Sequence, residues 1–313
     1  MMTSTDRILT THTGSLPRPP ELLAELLRRD RGEPVDEAAL AAQVRDAVAD
    51  SVRRQTGAGV AVVNDGEAGK IGYSTYVTER LEGFGGEAEP PRPPPDMLEF
   101  PEYLARVHGD GRGPATPACD GPVAYRDTTA VRADIANLRA ALDGTGAEDA
   151  FLSAASPGVI AFFLADRHHG SHEAYLFAIA DAMKVEYDEI HRAGLVLQLD
   201  CPDLAITRHR VGAESLDDFR RFVALHIEAI DHATRDIPPE GMRMHVCWGN
   251  YEGPHHHDVP LRDIVDIVLG GRPSAVSPPR RPRVSVRSGQ SSCSTIPARW
   301  ISSYSTFIAS AIA

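Results

Sequence analysis

Short apolar runs alternate with helix-like stretches along most of the chain, and this alternation limits the possible fold most strongly. The clearest runs are residues 195–199 and 60–63. Runs that are apolar on both faces are typical of strands in a parallel sheet, because helices cover both sides. Residues 36–55 form a helical stripe of the kind that lies between such strands. The sequence therefore predicts βα repetition and an α/β fold.

Polar residues stand at the ends of the predicted strands. They include Ser15, Glu67, Asp200, His245 and Cys247. In a TIM (β/α)8-type barrel, the carboxyl ends of the strands meet at one mouth, which is where active sites form. About six βα units precede residue 270, so we expect a barrel that is incomplete at its C-terminus. A doubly wound sheet is the alternative, although the chain has no G-x-G-x-x-G or P-loop pattern to support it.

Serines mark the starts of two predicted helices. Ser171 is the expected N-cap of a helix over residues 172–193, and Ser215 opens a capping-box-like start to the next helix. A further helix is predicted over residues 261–269.

The composition excludes several classes of partner. The chain has 313 residues, a normal length for an α/β barrel, and its net charge of −12 argues against nucleic acid or an anionic membrane. Its four widely spaced cysteines are not typical of a disulfide framework and favour a reducing cytoplasm. The N-terminus has no apolar signal-peptide region, and no apolar run approaches membrane-spanning length. We therefore expect a cytoplasmic protein.

The charge pattern changes abruptly near the C-terminus. All 44 acidic residues lie at or before Asp266, whereas the last 47 residues contain six arginines and no acid. We therefore divide the chain into a barrel domain, residues 1–270, and an aberrant tail, residues 271–313, that is frameshifted or disordered. The hypothesis of a frameshift near residue 277 would be tested by resequencing the DNA and translating the other frames.

His245 and Cys247 form a His-x-Cys pair at the end of an apolar strand. Side chains two residues apart leave the same face of a strand. An imidazole and a thiolate are ligands that zinc accepts, at bonds of roughly 2.0–2.3 Å. Two ligands do not close a zinc site, so a core cysteine beside a hydrogen-bonded histidine remains the alternative. The histidines at 255–257 are expected in a solvated loop.

Four motifs resemble the cobalamin-independent methionine synthase family, and they occur in the family's order. They are residues 10–18 (TTHTGSLPR), 65–67 (DGE), 197–200 (LQLD) and 245–247 (HVC). The resemblance is to the short, single-barrel members, which are related to the catalytic C-terminal half of the full enzyme. It covers residues 7 to about 270.

The resemblance implies a TIM barrel and a zinc-dependent methyl transfer in methionine biosynthesis. Homocysteine would bind zinc as a thiolate, which would attack the methyl group of a 5-methyltetrahydrofolate. By the family pattern, His245 and Cys247 match zinc ligands. The positions that match the binding of the amino-acid part of homocysteine are Gly14, Ser15, Glu67 and Asp200. Glu67 and Asp200 are also the expected catalytic residues, since two carboxylates can pair with an α-ammonium group.

The sequence departs from the family after residue 277. Members carry a glutamate ligand on the next strand, but here residues 275–277 lead into Pro278. A later cysteine and histidine are also expected, yet no histidine follows His257 and the only later cysteine is Cys293. Two other functions therefore stay open. One is zinc-dependent alkyl transfer to another thiol, as in epoxyalkane:coenzyme M transferases, and the other is an inactive barrel remnant.

Overall fold

Helices make up most of the chain between the strands. The computed structural model describes residues 1–277 except 3, 5, 90–92, 94, 109–115, 207, 209–214 and 250–254. Its α-helices are α1 (Pro20–Asp30), α2 (Glu37–Gly57), α3 (Tyr73–Arg80), α4 (Pro95–Leu98), α5 (Pro101–His108), α6 (Thr129–Leu142), α7 (Pro157–Phe163), α8 (His172–Arg192), α9 (Asp203–Ile206), α10 (Leu216–Ala233) and α11 (Val265–Val268).

A five-stranded parallel sheet forms the centre of the fold. The strands are β1 (Val62–Val63), β2 (Leu81–Glu82), β3 (Gly86–Ala88), β4 (Thr116–Ala118), β5 (Ala124–Tyr125), β6 (Asp149–Ala155), β7 (Val196–Asp200), β8 (Met242–His245) and β9 (Ala275–Ser277). The sheet order is β1-β6-β7-β8-β9, and each pair is parallel. The α/β class and the parallel sheet are confirmed.

The N-terminal segment joins the sheet through an isolated bridge. Thr11 pairs with Val62 in parallel fashion and extends the sheet beyond β1. Strands β2 and β5, and strands β3 and β4, form two separate antiparallel pairs off the main sheet. Closure into an eight-stranded barrel is not seen within residues 1–277 as described, and it remains a prediction.

The main core lies between the sheet and the helices that follow its strands. Strands β6 and β7 are buried on both faces, as expected for a parallel sheet covered by helices. Helix α8 packs on them through Leu176, Ile179, Met183 and Tyr187, all at most 1% exposed. Each such side chain contributes roughly 1.5–3 kcal/mol of burial free energy. This packing holds the carboxyl ends of β6 and β7 in fixed positions.

The two serine N-caps are confirmed. The hydroxyl oxygen of Ser171 accepts a hydrogen bond from the backbone N–H of Ala174, and that of Ser215 accepts one from Asp218, each at 3.1 Å. These contacts satisfy N–H groups that have no partner inside the helix.

The predicted helix over residues 261–269 is wrong in part. A 3-10 turn over Leu261–Asp263 and the short α11 replace it, and the backbone leaves helical geometry at Ile264. The guanidinium of Arg220 donates to the backbone oxygen of Asp263 at 2.5 Å, so an α10 side chain takes a carbonyl that an unbroken helix would use internally.

The expected tail lies mostly outside the described residues. Strand β9 pairs with β8, so the parallel sheet extends to Ser277, and residues 278–313 fall beyond that part of the chain. The tail boundary at 271 and the frameshift hypothesis therefore stay predictions. Among the helices of the described chain, none combines the length and the apolar character that a membrane crossing requires.

Candidate active site at the carboxyl ends of the strands

The register of the sheet places the predicted residues of two strands side by side. Asp200 pairs with His245 across β7 and β8, and Ala155 at the end of β6 pairs with Asp200 on its other side. Cys247 follows β8 by two residues. Its pKa is raised by burial and further by the negative charge of Asp200, which places the thiol near this carboxyl group. The carboxyl ends of β7 and β8 thus form one site.

Glu67 reaches this site from a tight turn after β1. Gly66 and Glu67 both have positive φ angles, 65° and 53°, a conformation that costs a non-glycine residue free energy. The side chain of Asp65 stabilises the turn, since its Oδ1 accepts the backbone N–H of Glu67 at 2.9 Å. Asp65 is 3% exposed, so it is not a residue of a solvated turn.

Arg18 fixes the same turn from the N-terminal segment. Its guanidinium donates to the backbone oxygen of Glu67 at 2.7 Å and to that of Ala68 at 3.1 Å. The backbone N–H of Leu16 also donates to the oxygen of Gly66 at 3.0 Å. The TTHTGSLPR motif therefore supports the position of Glu67 by its backbone and by Arg18.

Glu67 and Asp200 form an interacting pair of acids, in which Asp200 is buried and Glu67 is half-buried. Burial and, to a smaller extent, the neighbouring charge of Asp200 together raise the pKa of Glu67 to about 7. Burial also raises the pKa of Asp200 to about 6. Within the described residues, Oε1 of Glu67 is buried and has no hydrogen-bond partner. Two acids held together in this way favour a cation between them, because a cation would stabilise both charges.

A series of hydrogen bonds between polar side chains inside the sheet fixes the position of Asp200. The amide nitrogen of Gln198 donates to Oδ1 of Asp200 at 2.8 Å and to the hydroxyl of Ser153 at 3.1 Å. The guanidinium of Arg243 donates in turn to Oε1 of Gln198 at 2.8 Å and lies 3.5 Å from the ring centre of Phe151. Sequence reasoning missed this support. The signal in the sequence was a polar residue inside each of two apolar strands, namely Gln198 in β7 and Arg243 in β8.

One lysine lies beside the acid pair. The Nζ of Lys70 donates to the backbone oxygen of Ser153 at 2.8 Å and lies 3.8 Å from Asp134. Its positive charge lowers the pKa of both Glu67 and Asp200, although burial outweighs it. The positive charge of Arg243 also lowers the pKa of Asp200, so two basic side chains act on the acid pair.

Gly14 and Ser15 lie on the segment that packs against the Glu67 turn. Gly14 has φ 94°, which favours glycine, and the side chain of Ser15 is exposed. Their role in substrate binding remains a prediction. The Nε2 of His12 lies 3.0 Å from Oε1 of Gln55, so the imidazole of His12 is held by a side-chain hydrogen bond.

His245 and Cys247 offer two metal-ligand atoms but not a complete set. Cys247 is half-buried, and its sulfur accepts the backbone N–H of Gly249 at 3.2 Å. Among the described residues, no third cysteine, histidine or acid joins this pair at mutual ligand distance. Since a catalytic zinc site needs three protein ligands, the residues on this part of the chain do not complete one. Zinc at this site remains a prediction.

Several neighbours of the site are held by packing or by hydrogen bonds. Cys201 is fully buried in the core. Trp248 is 7% exposed and donates its indole N–H to the backbone oxygen of Val259 at 2.8 Å, so it packs rather than lining an open surface. The imidazoles of His256 and His257 contact the carboxylate of Glu99, so these two histidines have a partner in their loop.

Solved structures of B12-independent methionine synthases share this fold. One from Shewanella sp. W3-18-1, in complex with selenomethionine, has a TM-score of 0.62 at 20% identity, over 86% of this chain and 72% of that chain. A putative vitamin-B12 independent methionine synthase from Listeria monocytogenes has a TM-score of 0.57 at 16% identity, over 87% and 73%. No protein-family model and no curated protein matches the chain. The resemblance indicated by the four motifs is thus confirmed at the level of the fold.

Proposed function

We propose that this protein is a methionine synthase-like S-methyltransferase whose acid pair binds the α-ammonium group of homocysteine. The observation that carries the proposal is the pairing of the buried Asp200 with the half-buried Glu67, whose Oε1 is buried and has no hydrogen-bond partner among the described residues. An amino acid brings a cation of the right size to such a pair. The Shewanella relative, whose structure is a complex with selenomethionine, supports an amino-acid ligand for this fold.

The chain's own groups would bind and orient the thiol. On binding an ammonium group, Glu67 and Asp200 would both ionise, because each carboxylate then gains a charge-assisted hydrogen bond. The Gln198 amide keeps Asp200 directed toward the ligand. The homocysteine sulfur would then lie on the side of His245, which ends β8, and of Cys247, which follows two residues later. A methyl-folate would be the methyl donor, as the family resemblance implies.

The acid pair favours homocysteine over the alternative thiol. Coenzyme M carries a sulfonate and no ammonium group, so the two carboxyl groups would repel it rather than bind it. We therefore place alkyl transfer to coenzyme M second, and an inactive barrel remnant remains the third possibility.

Calorimetric titration with two matched thiols tests the ammonium site. Homocysteine and 4-mercaptobutanoate differ only in the α-amino group. We expect the wild type to bind homocysteine more tightly, and Glu67→Gln to weaken that binding by roughly 10–100-fold, which corresponds to the loss of one hydrogen bond between charged groups. Binding of 4-mercaptobutanoate should hardly change. Equal binding of the two thiols by the wild type would contradict the proposal. Glu82→Gln, at an exposed position, is the matched control.

Two further measurements test the transfer and the metal. Formation of methionine from homocysteine and methyl-folate, followed by mass spectrometry, tests the reaction, and coenzyme M in place of homocysteine tests the second candidate. Zinc content of the purified full chain, compared with Cys247→Ser, tests His245 and Cys247 as ligands. Tight homocysteine binding without zinc or turnover would identify the protein as an inactive relative that keeps its ligand site.

A further inference from the structure

A second group of potential metal ligands lies away from the acid pair. Cys119 directly follows β4, and Asp166 and His169 belong to the turn after α7. The Sγ of Cys119 lies 3.8 Å from Nδ1 of His169, and this nitrogen lies 3.0 Å from Oδ1 of Asp166. All three ligand atoms lie within 4.8 Å of one another. None of these residues belongs to the segments that carry Glu67, Asp200 or His245.

Backbone hydrogen bonds hold the two segments together. The N–H of Cys119 donates to the oxygen of Ala165 at 2.8 Å, and the N–H of Arg167 donates to the oxygen of Cys119 at 2.9 Å. The carboxylate of Asp166 accepts the backbone N–H groups of His168 and His169 at 3.1 Å. The three side chains are therefore held in place before any ligand binds, which lowers the cost of binding.

The geometry distinguishes a metal site from a cysteine–histidine–aspartate catalytic triad. In a triad, the nucleophile and the acid contact opposite nitrogens of the imidazole. Here Cys119 and Asp166 both approach the same nitrogen, Nδ1 of His169. Ligand atoms of a tetrahedral zinc lie roughly 3.3–3.6 Å apart, given bonds of roughly 2.0–2.3 Å. The observed separations of 3.0 and 3.8 Å lie on either side of this range.

We propose that Cys119, Asp166 and His169 bind a divalent transition-metal ion, with zinc as the best match. A thiolate, a carboxylate and an imidazole are a ligand set that zinc accepts, and the two negative charges balance the charge of the ion. Three protein ligands leave one tetrahedral position to water. Cys119 is fully buried, while the side chains of His169 and Asp166 are 13% and 17% exposed, so the ion enters from their side.

Binding changes the protonation of the site. Without metal, the thiol of Cys119 donates a hydrogen bond to the backbone oxygen of Gly121 at 3.3 Å. Coordination displaces that proton to solvent, and His169 must offer Nδ1 as a lone pair instead of sharing it with Asp166. Metal binding therefore weakens as the pH falls.

Cobalt titration of the full chain tests this site. After treatment with a chelator, Co²⁺ is added, and thiolate-to-cobalt charge-transfer absorption is followed in the near ultraviolet. We expect the band in the wild type and in Cys247→Ser, and its loss in Cys119→Ser. His169→Gln should weaken cobalt binding by more than about 100-fold, because loss of even an outer-shell partner costs roughly 10–100-fold.

Two variants of the site are used so that the failure of one to fold does not decide the result. His169 is partly exposed, so His169→Gln should keep the fold if Cys119→Ser does not, and circular dichroism checks both. Absence of the band in the folded wild type would overturn the proposal. So would a band that survives in folded His169→Gln or disappears only in Cys247→Ser. None of these results depends on methyl transfer, so the metal site and the proposed function succeed or fail separately.

Discussion

Gln198 donates a 2.8 Å hydrogen bond from its side-chain amide to Oδ1 of Asp200, two residues further along the same strand. Alternate residues of a strand share one face, so both side chains project from the same side of the sheet. This bond lowers the pKa of Asp200 against the effect of burial. Gln198 is thus a positioning residue for the acid pair.

Replacement of Gln198 should affect both stability and the pH dependence of binding. Gln198→Met keeps the volume but removes the bond to Asp200 and the acceptor for Arg243. We expect the free energy of unfolding to fall by about 1–3 kcal/mol and the pH midpoint of homocysteine binding to rise. Urea denaturation and calorimetry at several pH values measure these effects. Gln43→Met is the control, because Oε1 of Gln43 already has no partner within the described chain. An unchanged pH midpoint would rule out the positioning role.

The acid pair should make the free protein less stable as the pH rises. Burial raises the pKa of Glu67 from 4.5 to about 7 and that of Asp200 from 3.8 to about 6. The folded chain therefore holds these protons more tightly than the unfolded chain. The pair's contribution to stability is present below pH 4 and is lost as the pH rises through about 6 and 7.

Glu67→Gln should remove about half of this dependence, because the raised pKa of Asp200 remains. The variant has one ionisable group fewer in the pair, so we expect it to be more stable than the wild type at pH 8, by roughly 2 kcal/mol, and no more stable at pH 4. Thermal unfolding across this pH range, without ligand, makes the comparison. Glu82→Gln, at an exposed site, should follow the wild type. A wild type whose stability does not fall more than that of Glu67→Gln between pH 5 and 8 would contradict the assignment.

Sequence patterns predicted the parts of this molecule that local chemistry determines. The strand at 195–199 was evident because four of its five residues are apolar and such a run needs helices on both sides, and β7 occupies Val196–Asp200. The N-caps at Ser171 and Ser215 were evident because a serine directly before an apolar helical stripe is typical of a helix start. The position of Asp200 at a strand end followed from the same patterns.

Long-range contacts were not predictable in this way. Arg243 and Gln198 are 45 residues apart, and only the sheet register brings them together. The same holds for Cys119 and His169, which are 50 residues apart. The break in the helix predicted at 261–269 depends on Arg220 of α10. In each case a side chain from another element determines the local structure.

Arg243 should be intolerant of replacement even by lysine. It is 1% exposed, and its guanidinium donates to Gln198, to the hydroxyl of Thr11 at 3.2 Å and to the backbone oxygen of His12 at 3.1 Å. A lysine ammonium cannot reproduce this planar fork. We expect Arg243→Lys to lower the free energy of unfolding by about 3 kcal/mol, since a buried charge loses partners. Arg262→Lys, at a side chain 83% exposed, should change it by less than about 0.5 kcal/mol. Equal effects in urea denaturation would show that the buried contacts contribute little.

Gly158 faces a buried chain of hydrogen bonds that leaves no room for a side chain. The hydroxyl of Ser156 donates to Oδ1 of Asp203 at 2.8 Å, and Oδ2 of Asp203 lies 2.7 Å from Nδ1 of His226. A Cβ on Gly158 would lie 2.1 Å from Asp203 Oδ2 and 2.2 Å from His226 Nδ1. Both of those side chains are at most 1% exposed, so neither can move aside without breaking a buried bond.

Gly158→Ala should therefore be among the most damaging small substitutions in the protein. We expect a loss of about 3 kcal/mol or more in the free energy of unfolding, from steric overlap combined with an unsatisfied buried acid. Gly57→Ala is the matched control, since it adds the same methyl group near the end of α2 with no atom within 4 Å. That change should stabilise the helix by roughly 0.5–1 kcal/mol. In thermal unfolding, Gly158→Ala should lower the stability and Gly57→Ala should raise it. This contrast distinguishes a packing constraint from the general preference of a helix for alanine. A stable Gly158→Ala variant would mean that the chain from Ser156 to His226 can rearrange.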